Sequence, residues 1–217
     1  MATFSQGADV PPRLAPAAVE APNPLADPGP WAVTAFATTS FILGLYNTHL
    51  LGSGSLPIVF PFAFFYGGMI QIIVGILEVG RKNLFGAVVF GTYGPFWVIY
   101  GAISIWFAKL ATPTSVGSGI SAFLAMFAIV TFFFIIASLR TDRVLVAIFT
   151  LIFIGLVCLA IYFESGVVFW QKAGGWVTLA FAVLAWYHAA ADMINFTFRS
   201  QVLPLGKFQK FTASAEV

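Results

Sequence analysis

The stretch LFGAVVFGTYGPFWVIYGAISIWFA, residues 84–108, runs for 25 residues without an Asp, Glu, Lys or Arg. At about 1.5 Å of helical rise per residue it is long enough to cross the roughly 30 Å hydrocarbon core of a bilayer. It reads as a membrane-spanning helix, yet its centre holds Gly91, Tyr93, Gly94 and Pro95. A lone tyrosine among two glycines and a proline asks for a reason.

Composition makes this span one of several. Hydrophobic residues are 60% of the chain and charged residues 8%, with a mean hydropathy of +0.96. Eighteen charges cannot cover the surface of a soluble protein of 217 residues. The chain is expected to be an all-α, polytopic integral membrane protein with the lipid bilayer as its solvent. Its net charge of +2 then reports topology, and no nucleic-acid partner is expected. Cys158, the single cysteine, lies in an apolar run and reads as a buried inert thiol.

Residues 1–30 differ in character. They hold seven of the twelve prolines and little that could pack, which predicts a disordered cytoplasmic tail and not a cleavable signal peptide. The membrane domain is expected over residues 31–199, with a second cytoplasmic tail at 200–217. Turn signals and charges divide it into helices near 31–50, 57–79, 84–108, 120–139, 144–163 and 175–197. With six spans, Arg13, Arg81, Lys82, Arg140, Arg143, Arg199, Lys207 and Lys210 share one side, against Lys109 and Lys172 on the other. That asymmetry predicts a cell-membrane protein with both termini cytoplasmic.

Motifs for hydrolytic, metal or nucleotide chemistry are missing from the sequence: no His-Glu-x-x-His, Gly-x-Ser-x-Gly, P-loop or cysteine pair occurs. His49 and His188 are too few for a typical zinc or haem site, so neither metal nor cofactor is expected, and the chain does not read as an enzyme. What remains is polarity inside the membrane, which is costly and marks either helix packing or a water path. Phe36, Thr39, Leu43 and Asn47 share a face of the first span, and Gln71 sits deep in the second. Glu78, at the end of the second, reads as a surface partner of Arg81 or Lys82. His188, Asp192 and Asn195 form a stripe on the sixth. Gly67, Gly68 and Gly75, and Ala182, Ala185, Ala189 and Ala190, offer faces for close contacts within or between subunits.

Four separated segments are similar to the acetate uptake transporter family, also called succinate–acetate permeases. They are AFATTSFILGLYN at 35–47, FYGGMIQIIVGILEVGRKNLFGAVVFGTYGPFW at 65–97, SLRTDRVLV at 138–146 and SQVLPLG at 200–206. The resemblance spans about residues 27–206. It departs at DPGPWAV, residues 27–33, where Asp27, Trp31 and Ala32 stand for the family's Asn, Leu and Gly. It departs again at Asn195-Phe196, where the family has Asn-Glu.

The resemblance implies six helices around a central pathway in each protomer of a homo-hexamer, carrying acetate and other short carboxylates, with succinate a candidate. It also implies a hydrophobic constriction of Phe, Tyr and Leu. Carried over by motif, the first two are Phe36 and Tyr93; counting on from RVLV puts the third at Ile152, an apolar replacement for Leu, with Leu151 as the neighbouring register. Thr39, Leu43, Asn47, Gln71 and Asn195 are the further candidates for lining or binding.

Pro95 lacks an N–H and crowds the carbonyl of Gly91, so a kink with a freed carbonyl would suit the wall of a wet path. The Tyr93 hydroxyl would then donate to a passing anion. The alternative is a packing kink with Tyr93 bonded to a neighbouring helix. Transport itself reads either as a channel or as proton-coupled symport, for which His188 and Asp192, four residues apart, are the candidate relay. Outside the transport class stands a membrane sensor or scaffold whose polar stripes bind helices together.

Overall fold

The computed structural model describes residues 25–208. The predicted N-terminal tail therefore lies outside the described residues through residue 24, as does the chain after residue 208. Among the described residues the protein is helical throughout. Helix α1 (Gly29–Asn47) leads to α2 (Leu56–Pro61), a π-helical segment (Phe62–Gly68) and α3 (Met69–Gly80). Then come α4 (Leu84–Ile105), α5 (Pro113–Ser138), α6 (Arg143–Ser165) and α7 (Val168–Phe198). Five segments are long and apolar enough to cross a membrane, with Ser53–Gly80 counted as one. Helix α1 is the sixth element of the bundle. It is less apolar because Thr34, Thr38, Thr39, Ser40 and Asn47 fall on it, and Thr39 and Ser40 are fully buried.

Helix α1 packs along α7, α7 along α6, α6 along α5, and α3 along α4. In lipid no hydrophobic force drives helices together, so small residues and van der Waals fit set these contacts. Two predicted turns prove to be helix for this reason. Helix α5 begins at Pro113 instead of residue 120, with proline pre-set for the first turn. Gly117 belongs to that helix, and a Cβ there would come within 2.5 Å of the Phe163 carbonyl oxygen. Likewise α7 begins at Val168 instead of 175, and Gly175 lets it touch α1, since a Cβ would lie 2.6 Å from the Thr48 nitrogen. The connection between α6 and α7 shrinks to Gly166 and Val167, with Gly166 in the left-handed conformation that glycine reaches at no steric cost.

The glycines around Tyr93 serve packing as well. A Cβ on Gly94 would meet the Ile72 nitrogen at 2.8 Å, and one on Gly75 would meet the Gly91 nitrogen at 2.8 Å. The backbones of α3 and α4 therefore cross in near contact, and α4 remains one helix through Pro95. Between α2 and α3, Pro61 precedes the π-helical segment, whose looser hydrogen bonding leaves the Phe62 carbonyl within 3.4 Å of Thr39 Oγ1.

The expected C-terminal tail is packed through residue 208. The Arg143 and Val144 backbone amides donate to the Gly206 and Leu205 carbonyls, and Leu205 is buried. The chain after α7 thus closes over the turn between α5 and α6.

Candidate functional site

Among the described residues, two cavities meet inside the bundle. The larger, of about 280 Å³, is lined mainly by α1, α4, α6 and α7, with Ile120, Phe123 and Leu124 from α5. The smaller, of about 150 Å³, lies toward the end that carries residues 25–28 and 200–208 and is lined by Asp27, Gln71, Asn83, His188 and Asp192 among others. Phe36, Tyr93 and Ile152 line both cavities, and no other described residue does. They come from α1, α4 and α6 and are 8%, 3% and 4% exposed. The Phe36 and Tyr93 rings stand 5.4 Å apart between centroids. Phe181 of α7, which the sequence reading passed over, stacks on Phe36 at 5.7 Å and lines the larger cavity. Its signal was present: Thr178, Phe181, Ala185, His188 and Asp192 follow at three- and four-residue steps and all line one cavity or the other.

The Tyr93 hydroxyl is turned away from the path. It lies 2.7 Å from Thr131 Oγ1 of α5, and Thr131 in turn donates to the Phe127 carbonyl at 2.7 Å. A threonine hydroxyl has one proton, so Tyr93 must be the donor between the two. The expected donation from Tyr93 to an anion therefore gives way to the packing alternative. This α4–α5 bond fixes the ring plane that faces Phe36.

The remaining candidates divide. Leu43 and Asn47 line the larger cavity and Gln71, His188 and Asp192 the smaller. Gln71 also donates to the Gly67 carbonyl at 2.6 Å. Thr39 and Leu151 line neither cavity. Thr39 is fully buried, bonded to the Ala35 carbonyl and packed where Gly67 has no side chain. Asn195 also lies outside both; its amide accepts from Val202 and Leu203 and donates to the Leu203 carbonyl, closing the turn after α7.

Charges gather at the mouth of the smaller cavity. His188 Nε2 lies 3.2 Å from Asp142 Oδ2, and its Nδ1 lies 3.3 Å from Asp192 Oδ2. The ring thus stands between two carboxylates, bonded to Asp142 through Nε2, while Nδ1 lies near Asp192 without forming a hydrogen bond. Asp142 also caps α6 through the Leu145 amide at 2.8 Å, so one side chain ties the helix start to α7. Across the mouth, Arg81 bridges Asp27 at 3.7 Å and Glu78 at 3.3 Å. Glu78 is 1% exposed, so the expected surface pair is a buried one. At the opposite end His49 Nε2 meets Gln171 Oε1 at 3.0 Å. Among the described residues no group of three or more potential metal ligands forms.

A family model described as GPR1/FUN34/yaaH matches residues 7–207. Ammonia transport outward protein 2 of Saccharomyces cerevisiae is 33% identical over 86% of this chain and 67% of its own length. The succinate-acetate/proton symporter SatP of Escherichia coli K12 is 30% identical over 84% of this chain and 96% of its own. Acetate permease A of Emericella nidulans is 28% identical over 84% and 66%. Among solved structures, that of the bacterial acetate channel SatP superposes with a TM-score of 0.78 at 30% identity, covering 84% of this chain and 99% of that one.

Proposed function

Because the chain belongs to the GPR1/FUN34/yaaH family, we propose that it is a membrane channel passing acetate and other short carboxylates through each protomer. The observation that carries this reading is the pair of cavities meeting only at Phe36, Tyr93 and Ile152. The smaller volume suffices for such cargo, since an apolar cavity of about 150 Å³ can admit a benzene molecule.

In this reading the three side chains are the gate. An apolar ring offers a carboxylate nothing for its lost hydration. Full desolvation of such an ion is of order 20 kcal/mol in the idealised limit. A barrier that high allows roughly 0.01 crossings per second. The ring as it stands is therefore closed to the bare anion, and conduction requires Phe36 or Ile152 to move aside and let water enter.

A proton-coupled mechanism is the second reading, favoured by one observation: His188 stands between two carboxylates beside the smaller cavity. The orientation proposed places both termini and that mouth in the cytoplasm, in keeping with the excess of Lys and Arg at that end. Homo-hexamer formation is part of the proposal. The exposed apolar side chains of α3 and α5, such as Ile76, Val79, Ile129 and Phe133, leave a surface for lipid or neighbouring copies. The test is uptake of labelled acetate by purified protein in liposomes, with and without a pH gradient. Saturable downhill uptake supports the channel, accumulation that needs the gradient supports symport, and no uptake leaves a sensor or scaffold.

A further inference from the structure

Most buried hydroxyls and indoles in this bundle have partners. On α1, Thr34, Thr38 and Thr39 each donate to the carbonyl four residues back, and the Trp186 indole donates to Thr38 at 3.1 Å. Two side chains break the pattern. Ser40 Oγ and Trp97 Nε1 are buried with no hydrogen-bond partner among the described residues. Ser40 is 0% and Trp97 2% exposed, and both line the larger cavity. A buried donor left unpaired is costly and asks for an acceptor.

Their positions follow from the helix repeat. Helices α1 and α4 both start at the end of the bundle where Asp27 meets Arg81, so they run the same way. Ser40 stands one turn beyond Phe36, and Trp97 one turn beyond Tyr93. The Phe36 ring is 6.5 Å from that of Trp97. The two unpaired donors thus both line the larger cavity, each one helical turn past a member of the ring. An indole N–H can only donate, so whatever pairs with it must accept. No Lys, Arg or His lines this cavity, so the attraction comes from neutral donors alone.

We propose that Ser40 and Trp97 form a docking subsite for a carboxylate, one oxygen accepting from each, with the apolar end of the acid against Phe36. This rests on the transport reading and deepens it. Neutral donors hold an anion well enough to draw it past the ring and weakly enough to release it, which conduction requires.

Two measurements test it. In proteoliposomes, Ser40→Ala and Trp97→Phe should each raise the acetate concentration giving half-maximal flux, by about tenfold if one hydrogen bond to a charged group is lost. In detergent, the Trp97 indole N–H resonance of ¹⁵N-tryptophan-labelled protein, assigned by its loss in Trp97→Phe, should move downfield and saturate with acetate. Acetamide, which carries no charge, should leave it in place. If wild type carries acetate but both variants keep its half-saturation and the indole signal ignores acetate, the subsite is wrong and the transport reading survives. If wild type carries no acetate, the transport reading itself falls. The indole titration is made on the wild-type protein and so decides the subsite even if Ser40→Ala fails to fold, and Trp97→Tyr supplies the assignment if Trp97→Phe does.

Discussion

Replacing Tyr93 with Phe separates two roles for its hydroxyl. If the hydroxyl acted on the anion at the highest barrier, its removal would cost about 1.5–3 kcal/mol, slowing flux by roughly 10- to 150-fold. The structure assigns its proton to Thr131, 2.7 Å away, while Thr131 spends its own on the Phe127 carbonyl. Tyr93→Phe then removes one neutral α4–α5 bond and strands no donor. Such a bond is worth about 1 kcal/mol, and double-mutant measurements within membranes average about 0.6. The ring keeps its place against Phe36, Phe134 and Phe149. Acetate flux per folded protein should change by less than about threefold, while the thermal midpoint falls by a few degrees. Flux in proteoliposomes and thermal unfolding in detergent measure the two independently. A tenfold or greater loss of flux with an unchanged midpoint would refute the assignment of that proton.

Phe36→Ala should remove one wall of the ring, raise acetate flux and admit succinate; unchanged rate and size selectivity in a folded variant would take Phe36 out of the path. Under the channel reading, Asp192→Asn loosens the mouth and lowers downhill and pH-driven uptake together, whereas loss of pH-driven accumulation alone would make His188 and Asp192 a proton relay. Gly175→Ala places a methyl 2.6 Å from the Thr48 nitrogen and should lower the thermal midpoint sharply. Gly91→Ala meets nothing within 4 Å and should leave it level or raise it; equal effects would refute the packing argument. In a Cys158→Ala background, Thr114→Cys should react with an impermeant thiol reagent from outside cells and Arg140→Cys should not, both positions being exposed; the reverse pattern would invert the topology.

The spans were legible because hydropathy over twenty residues leaves little choice; Phe36 and Tyr93 were named by motif and Ile152 by counting on from RVLV, and their part in transport is what the variants above test. Helix ends were misread where glycine carried two meanings. In a soluble chain Gly117 and Gly175 would announce turns, but in a bundle they are where backbones touch. Gly94 misled in the same way, suggesting a kink with a freed carbonyl where Gly94 and Gly75 let α3 and α4 cross tightly. The sequence also could not say where a hydroxyl proton goes. Tyr93 next to Pro95 looked poised toward the path until Thr131, 38 residues away, was found to take its hydrogen bond. Ser40 and Trp97 escaped notice because a partner's absence is a property of the fold and has no sequence signature. Asp142 escaped because its cap lies at a turn, far in sequence from His188.

The claim that acetate passes through the ring is tested most directly at Ile152, which is 4% exposed and lines both cavities. Ile152→Cys in a Cys158→Ala background should carry acetate in proteoliposomes, and modification by a small charged methanethiosulfonate should stop that flux. Acetate present during the reaction should slow the modification. Complete modification of the cysteine with acetate flux unchanged would contradict the account.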